Sequence, residues 1–471
     1  MTYKMLIDGV LEEGSLTLDV VNPATGAPWT SVPRATPEQA AQAIAAAKRA
    51  QPAWAALPIE QRQQVLRTLA DAIEADADVF TRAIVQEQGK PSAEAALEVV
   101  HTCLFLRAFA DMSLEPELVQ DDEAYRIEVH HRALGVVAGI TPWNFPLLIP
   151  AYKLAPALLL GNSFILKPAP TTPVSALLLG QAVALLVPPG VVNVLVDDND
   201  LGPLLGAHPD IQKVSFTGST ATGRKVMAAA ADTLKRLTLE LGGNDAAIVL
   251  EDADVDSIAP GIFGSAFFNA GQVCIAVKRV YAHRSVYDAL ASRLAELART
   301  AVVGDGLEQG VTVGPLQNAQ QYAKARNYME IARRDGKVIA GGGFPEGKGF
   351  FVEPTIVRDI AADSPLVTEE QFAPILPILP FDDMGSVIAD VNAGEYGLGG
   401  SIWSSDEAAA SRLAQGLMSG TVWINHHLHF APHVPFPGAK QSGLGVEFSR
   451  DGLAEFAQMS VVSIARGGQG R

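Results

Sequence analysis

The sequence predicts an α/β fold built on a parallel sheet, on three observations. Short apolar runs at residues 135–140, 163–166, 191–196 and 213–216 alternate with helical stretches. Three of these runs end in polar motifs: Thr141-Pro142-Trp143-Asn144, Lys167-Pro168 and Thr217-Gly218-Ser219. A second strand–helix block begins near Asp245. Alternation at this rhythm implies right-handed βαβ units. Ligands of such sheets bind beyond the carboxyl ends of the strands, where the polar motifs lie.

Taken in order, Asn22-Pro23-Ala24-Thr25-Gly26 is a turn between two strand-like runs. Thr36 caps a helix, Pro37 suits its first position and Glu38 its first turn. Alanine-rich helical periodicity continues to about Phe109, with breaks expected at Pro52 and Pro58. Residues 114–131 are charged, and 125–129 alternate like an exposed or edge strand. A helix over about 149–160 links the first two buried strands. The second block holds Cys274, a strand at 279–282, a helix across 285–302 and a Gly341-Gly342-Gly343 loop. Residues 454–465 read as a last strand, an arm for pairing with another subunit. No internal repeat or low-complexity linker is evident.

At 471 residues the chain exceeds one hydrophobic core, so two or three domains are expected. A net charge of −17 disfavours nucleic acid as a partner. The two cysteines, Cys103 and Cys274, cannot form a disulfide scaffold, which fits a reducing compartment. Residues 176–187 are apolar but too few to span a bilayer, which takes about 20. No secretory signal opens the sequence, so the expected location is cytoplasmic, with no membrane partner.

Cys274 is a candidate nucleophile, because a thiolate attacks carbonyl carbon well; a buried, inert thiol is the alternative. Gly218 and Ser219 follow a strand and open a helix, an arrangement that suits phosphate or an ordinary turn. Lys167 at a strand end suits a ribose hydroxyl, a phosphate or solvent. Glu240 precedes Gly242-Gly243 and suits a general base or a surface turn. Asn144 carries an amide suited to an oxyanion or to an Asx turn.

Together and in this order these elements resemble the aldehyde dehydrogenase superfamily over residues 5–456. The most specific matches are Thr141–Pro146, Phe216–Ser219, Glu240–Gly243, Phe267–Ile275, Glu369–Phe372 and Pro435–Gly443. The resemblance implies a Rossmann-like dinucleotide-binding domain (1–113 and 134–243), an α/β catalytic domain (244–443) and a small β oligomerisation arm (114–133 and 444–471). It implies that Cys274 is the nucleophile, Asn144 an oxyanion donor and Glu240 the base that activates water. Lys167 and Glu370 match ribose ligands of the nicotinamide cofactor, and Gly218 and Ser219 match its pyrophosphate turn. Trp143, Leu241, Gly242 and Phe372 match further cofactor positions. Phe145, Ile149, Tyr152, Phe268, Val273, Ile275, Leu428 and Phe430 match an aldehyde funnel. That lining is apolar and lacks arginine, which favours a hydrophobic or aromatic aldehyde over a dicarboxylic semialdehyde. A homodimer or homotetramer is implied as well.

Two positions depart from the family pattern. NAD-preferring relatives read Lys-Pro-x-Glu, whereas this chain has Lys167-Pro168-Ala169-Pro170, so NAD with tolerance of NADP is expected. Pro437 stands where glycine is usual, without a functional account. His426, His427, His429 and His433 cluster; if the run is extended, His427 and His429 share one face and His426 points away. Substrate or loop hydrogen bonding is favoured there over a metal. CoA-acylating oxidation and thiol-esterase chemistry are weaker alternatives. Glu240 argues against the first, and the cofactor motifs argue against the second.

Overall fold

The computed structural model describes residues 2–466. Thr36 and Gln39 form a reciprocal capping box that starts α1 (Pro37–Ala55). Pro52 does not break this helix, contrary to the sequence expectation. It lies in the last turn, where one lost N–H bond ends little, and the Ala56 N–H still closes on the Pro52 carbonyl at 3.1 Å. Pro58 does separate α1 from the next helix, Ile59–Ala75. The helices that bear on the site are α2 (Ser92–Ala110), α3 (Leu148–Leu159), α4 (Thr220–Ala230) and α5 (Val255–Phe267).

Five parallel strands form the centre of the first sheet: β1 (Val136–Ile140), β2 (Ser163–Lys167), β3 (Val192–Val194), β4 (Ile211–Thr217) and β5 (Arg236–Glu240). Their order is β3-β2-β1-β4-β5, flanked by the hairpin Met5–Ile7/Val10–Glu12 and by Gly443–Leu444. Every residue of β1 and β2 is buried, as in sheets covered on both faces. The order reverses between β1 and β4, which opens a crevice beyond their carboxyl ends.

Leu241-Gly242-Gly243-Asn244 alone separates β5 from the second sheet. That sheet contains β6 (Asp245–Val249), β7 (Val277–His283), β8 (Thr355–Arg358), β9 (Ile375–Phe381), β10 (Gly399–Trp403) and β11 (Thr421–Ile424). These strands are parallel in the order β8-β9-β7-β6-β10-β11, with Lys337–Ala340 antiparallel on β8.

A third, antiparallel sheet sets Tyr125–Ala133 between Glu117–Asp121 and Ala457–Ala465. Tyr125–Ala133 is therefore a central strand, not an edge; its second neighbour comes from the far end of the chain, beyond local periodicity. The last strand starts at Ala457, while Ala454 ends the short helix Ser449–Ala454. Phe448, Leu453 and Phe456 pack into the first sheet's core. The expected arm residues 467–471 lie outside the described residues. No helix among the described residues is long and apolar enough to cross a membrane.

Candidate active site

α3 starts without a side-chain cap of its own. Glu98 on α2 supplies one, accepting from the N–H groups of Leu147 and Leu148 at 2.9 and 3.2 Å. The other Glu98 oxygen pairs with Lys90 at 2.5 Å, both side chains fully buried. Lys90 also donates to the Asn144 carbonyl at 2.9 Å. This buried pair fixes the β1–α3 loop, and with it Asn144.

Cys274 lies between α5 and β7, after a turn in which Asn269, Ala270 and Gly271 have φ of 51°, 54° and 73°. Left-handed backbone costs a non-glycine residue roughly 1–2 kcal/mol, so the turn needs outside support. Asn269 provides much of it: its amide donates to the Asn144 carbonyl at 3.1 Å and accepts from Gln88 at 2.8 Å, and its N–H donates to Glu94 at 2.9 Å. Gln272 donates to the Asn269 carbonyl at 2.9 Å. Lys278 donates to the carbonyls of Val273 and Cys274 at 2.5 and 3.1 Å. His427 donates to the Ile275 carbonyl at 2.8 Å. Gly243 lies so close that a Cβ there would stand 2.5 Å from the Cys274 carbonyl oxygen.

Asn144 donates through Nδ2 to the Gln272 carbonyl at 3.0 Å, which leaves its second amide hydrogen free. This contact is not the local Asx turn that was the alternative. Glu240 ends β5, buried, and neither carboxyl oxygen has a hydrogen-bond partner. Burial holds its pKa well above the carboxylate range; Glu447 adds to the rise and Lys153 opposes it. Burial also pushes the Cys274 thiol up to about 12, Lys278 opposing and Glu240 adding. Burial thus disfavours the charged form of both groups. Cys103 is a packing residue of α2, its thiol donating to the Ala70 carbonyl at 3.4 Å.

A cavity of about 240 Å³ opens beside Cys274. All eight funnel positions line it: Phe145, Ile149, Tyr152, Phe268, Val273, Ile275, Leu428 and Phe430. Sequence reasoning missed Leu148, Phe436, Phe448 and the α2 face carrying Glu94, Leu97, Glu98 and His101. The 94/97/98/101 spacing was a legible signal, since it marks one side of a helix. Burial raises the Glu94 pKa to about 7, opposed by Lys90 and by the Asn269 N–H, and it lowers that of His101.

The crevice at the strand ends collects the other expected residues. Trp143 and Phe372 meet edge to face at 5.5 Å. Glu370 accepts from the Gly243 N–H at 3.0 Å, and a Cβ on Gly242 would come within 2.6 Å of its carboxylate. The Gly218 N–H closes on the Glu240 carbonyl at 3.0 Å. Ser219 caps α4 by accepting from the Thr222 N–H, and Leu241 packs against Gly223 of that helix. Lys167 pairs with Asp197 at 2.6 Å, a partner the sequence did not suggest. At these strand ends the hydroxyls of Thr141 and Thr217 are buried without partners. Such unpaired groups, with an exposed helix N-terminus, fit a polyhydroxylated, phosphate-bearing nucleotide.

The histidine run is not extended. Left-handed Asn425 and Leu428 fold it, so that His426 and His429 approach at 5.9 Å and His427 turns inward against Trp423 at 4.5 Å. Among the described residues no cluster of three metal-ligating side chains occurs. Pro437 forms a two-residue antiparallel pairing with Val446, next to Phe436 in the cavity wall.

A doubly wound sheet joined to a second α/β sheet at a thiol-lined cavity is the architecture of an aldehyde-oxidising dehydrogenase. The aldehyde dehydrogenase family model matches residues 10–462. Phenylacetaldehyde dehydrogenase of Pseudomonas fluorescens is 38% identical over 99% of this chain and 96% of its own. The NADP(+) succinate-semialdehyde dehydrogenase GabD of Escherichia coli is 38% identical over 95% and 94%. An NAD+ complex of aldehyde dehydrogenase from Bacillus cereus superposes with a TM-score of 0.96 at 33% identity, over 99% and 97% of the two chains. The chain belongs to the aldehyde dehydrogenase family and is an NAD(P)-dependent oxidoreductase acting on aldehydes.

Proposed function

We propose that the protein oxidises a hydrophobic, preferentially aromatic aldehyde to its carboxylic acid through a thioester on Cys274. The observation that carries this reading is the cavity beside Cys274, ringed by Phe145, Tyr152, Phe268, Phe430, Phe436 and Phe448. No lysine or arginine lines it. A distal carboxylate, as in a semialdehyde of a dicarboxylic acid, would meet Glu94 and Glu98 instead of a cation.

In this reading the Cys274 thiol gives its proton to solvent water, its sulfur adds to the carbonyl carbon, and the C=O π pair moves onto oxygen. The free Asn144 amide hydrogen and the Cys274 N–H hold the resulting oxyanion, and losing one such donor typically costs about 10²–10³ in rate. NAD(P)+, when bound, would supply the acceptor for the hydride that leaves the adduct as the thioester forms. Glu240, once ionised, takes a proton from water; the hydroxide adds to the thioester, the C–S bond breaks and the acid leaves. Lys167 and Glu370 hold ribose hydroxyls, Gly218 and Ser219 the pyrophosphate. Trp143, Leu241, Gly242 and Phe372 shape the rest of the cofactor path. Residues 1–113 and 134–243 then serve dinucleotide binding, 244–443 catalysis, and 114–133 with 444–471 subunit pairing. A homodimer or homotetramer is supported by Leu118, Val119, Met459 and Val461, which are apolar and exposed on the three-stranded sheet. The free thiols of Cys103 and Cys274 are in keeping with the cytoplasm.

Initial rates of cofactor reduction on a panel of aldehydes test the substrate class. The specificity constant for phenylacetaldehyde should exceed that for succinate semialdehyde by about tenfold or more. The reverse order would overturn the apolar reading. A quaternary-ammonium aldehyde is the second reading, because Glu94 and the aromatic rings together suit a cation.

A further inference from the structure

The ends of β2 and β3 are neighbours in the sheet, and they carry an arrangement that the site description leaves unused. Lys167 closes β2, and Asp197 lies just beyond β3. The Lys167 ammonium stands 2.6 Å from Asp197 Oδ1, with side-chain exposures of 5% and 0%. Asp197 Oδ2 accepts from the Leu201 N–H at 2.9 Å, while Oδ1, close to Lys167, makes no well-aligned hydrogen bond. Lys167 has one further contact, to the Pro168 carbonyl at 3.4 Å, which leaves an ammonium hydrogen for a ligand. The nearby Arg34 is also occupied, by Asp200 at 2.7 Å and Asp198 at 3.8 Å. Three carboxylates thus face two cations, a local sum of −1.

We infer that Asp197 is the residue that sets cofactor choice, favouring NAD over NADP. This rests on the ribose of the adenosine half lying at Lys167, as proposed above. In dinucleotide folds an acidic side chain that accepts from the ribose 2′-OH selects NAD, while a 2′-phosphate needs a free cation. Pro170, three residues after Lys167, carries no carboxylate, so that position cannot discriminate. Asp197 does so from the adjacent strand end. Closed to solvent itself, Asp197 acts through Lys167: its charge is spent on the ammonium, whose free hydrogen donates to a ribose hydroxyl. A 2′-phosphate, with a charge of about −1.5 to −2, meets a fixed carboxylate and two cations already paired.

The test is calorimetric titration of NAD+ and NADP+ into the otherwise intact Cys274→Ala enzyme, which reads binding without turnover. NAD+ should bind more tightly than NADP+. Adding Asp197→Asn, which retains an acceptor for the Leu201 N–H, should move the ratio of the two dissociation constants toward NADP+ by about tenfold or more. Asp197→Ser, still able to accept from that N–H, should move it the same way and covers the case in which the Asn variant misfolds. An unchanged ratio in a folded variant overturns the inference. Lys167→Met should weaken NAD+ binding. Unchanged NAD+ affinity there would instead show that the ribose lies elsewhere, and both the crevice assignment and the role of Asp197 would fall.

Discussion

Cys274 and Glu240 are buried acids, burial disfavours the charged form of each, and the Glu240 carboxyl adds to the rise of the thiol. Their pH dependence follows directly. With the thiol pushed up to about 12, the thiolate fraction grows about tenfold per pH unit throughout the range below that value. Alkylation of Cys274 in the free enzyme should therefore accelerate steadily from pH 7 to 10, and a plateau near pH 8 would contradict the burial argument. Residues of this kind were legible in the sequence because the chemistry restricts their type: a sulfur nucleophile, an amide donor, a carboxyl base. Asp197 was not legible as a site residue, and the helical spacing of Glu94 and His101 marks a shared face without showing that it lines the cavity. Their surroundings come from chain partners far away in sequence, Asp197 with Lys167 from the next strand and Glu94 with Asn269 from the second sheet's side of the cleft.

At the scale of elements, short segments do the positioning. The Leu241–Asn244 link sets the base of one sheet against the nucleophile turn of the other, and Gly243 is what lets the Cys274 carbonyl approach. Gly243→Ala should lower kcat by about 10²-fold with the circular dichroism spectrum unchanged, since a displacement near 1 Å suffices for such a loss. A wild-type rate would show that the turn yields without cost to catalysis. α3 depends on Glu98 in place of a local cap. Glu98→Ala leaves Lys90 charged and unpaired in the core, so unfolding free energy in calorimetry should drop by about 3–5 kcal/mol. A drop below about 1 kcal/mol would place the pair among weak surface bridges. The parallel strands were readable from their apolar runs. The continuation of α1 through Pro52 was not, because it turns on where the helix ends, and neither was the central position of Tyr125–Ala133, because its second partner strand is distant in sequence.

Across the whole molecule, two α/β sheets meet at one junction, and a small antiparallel sheet presents a nine-residue edge strand, Ala457–Ala465. An edge with exposed Met459, Val461 and Ile464 is a template for a second copy of the chain. Sedimentation should show an oligomer, and Val461→Asp should shift it toward monomer; a wild-type protein that sediments as a monomer at micromolar concentration would remove the arm from subunit pairing. The sheet junction is the more consequential feature, because it brings a buried carboxyl from β5 to a thiol that precedes β7. The proposed role of Glu240, releasing the acyl group from Cys274, is read by rapid mixing of the Glu240→Gln enzyme with aldehyde and NAD+. One equivalent of reduced cofactor per active site should form in a burst, followed by turnover slowed by about 10²-fold or more. Steady turnover at the wild-type rate, with no burst, would contradict it.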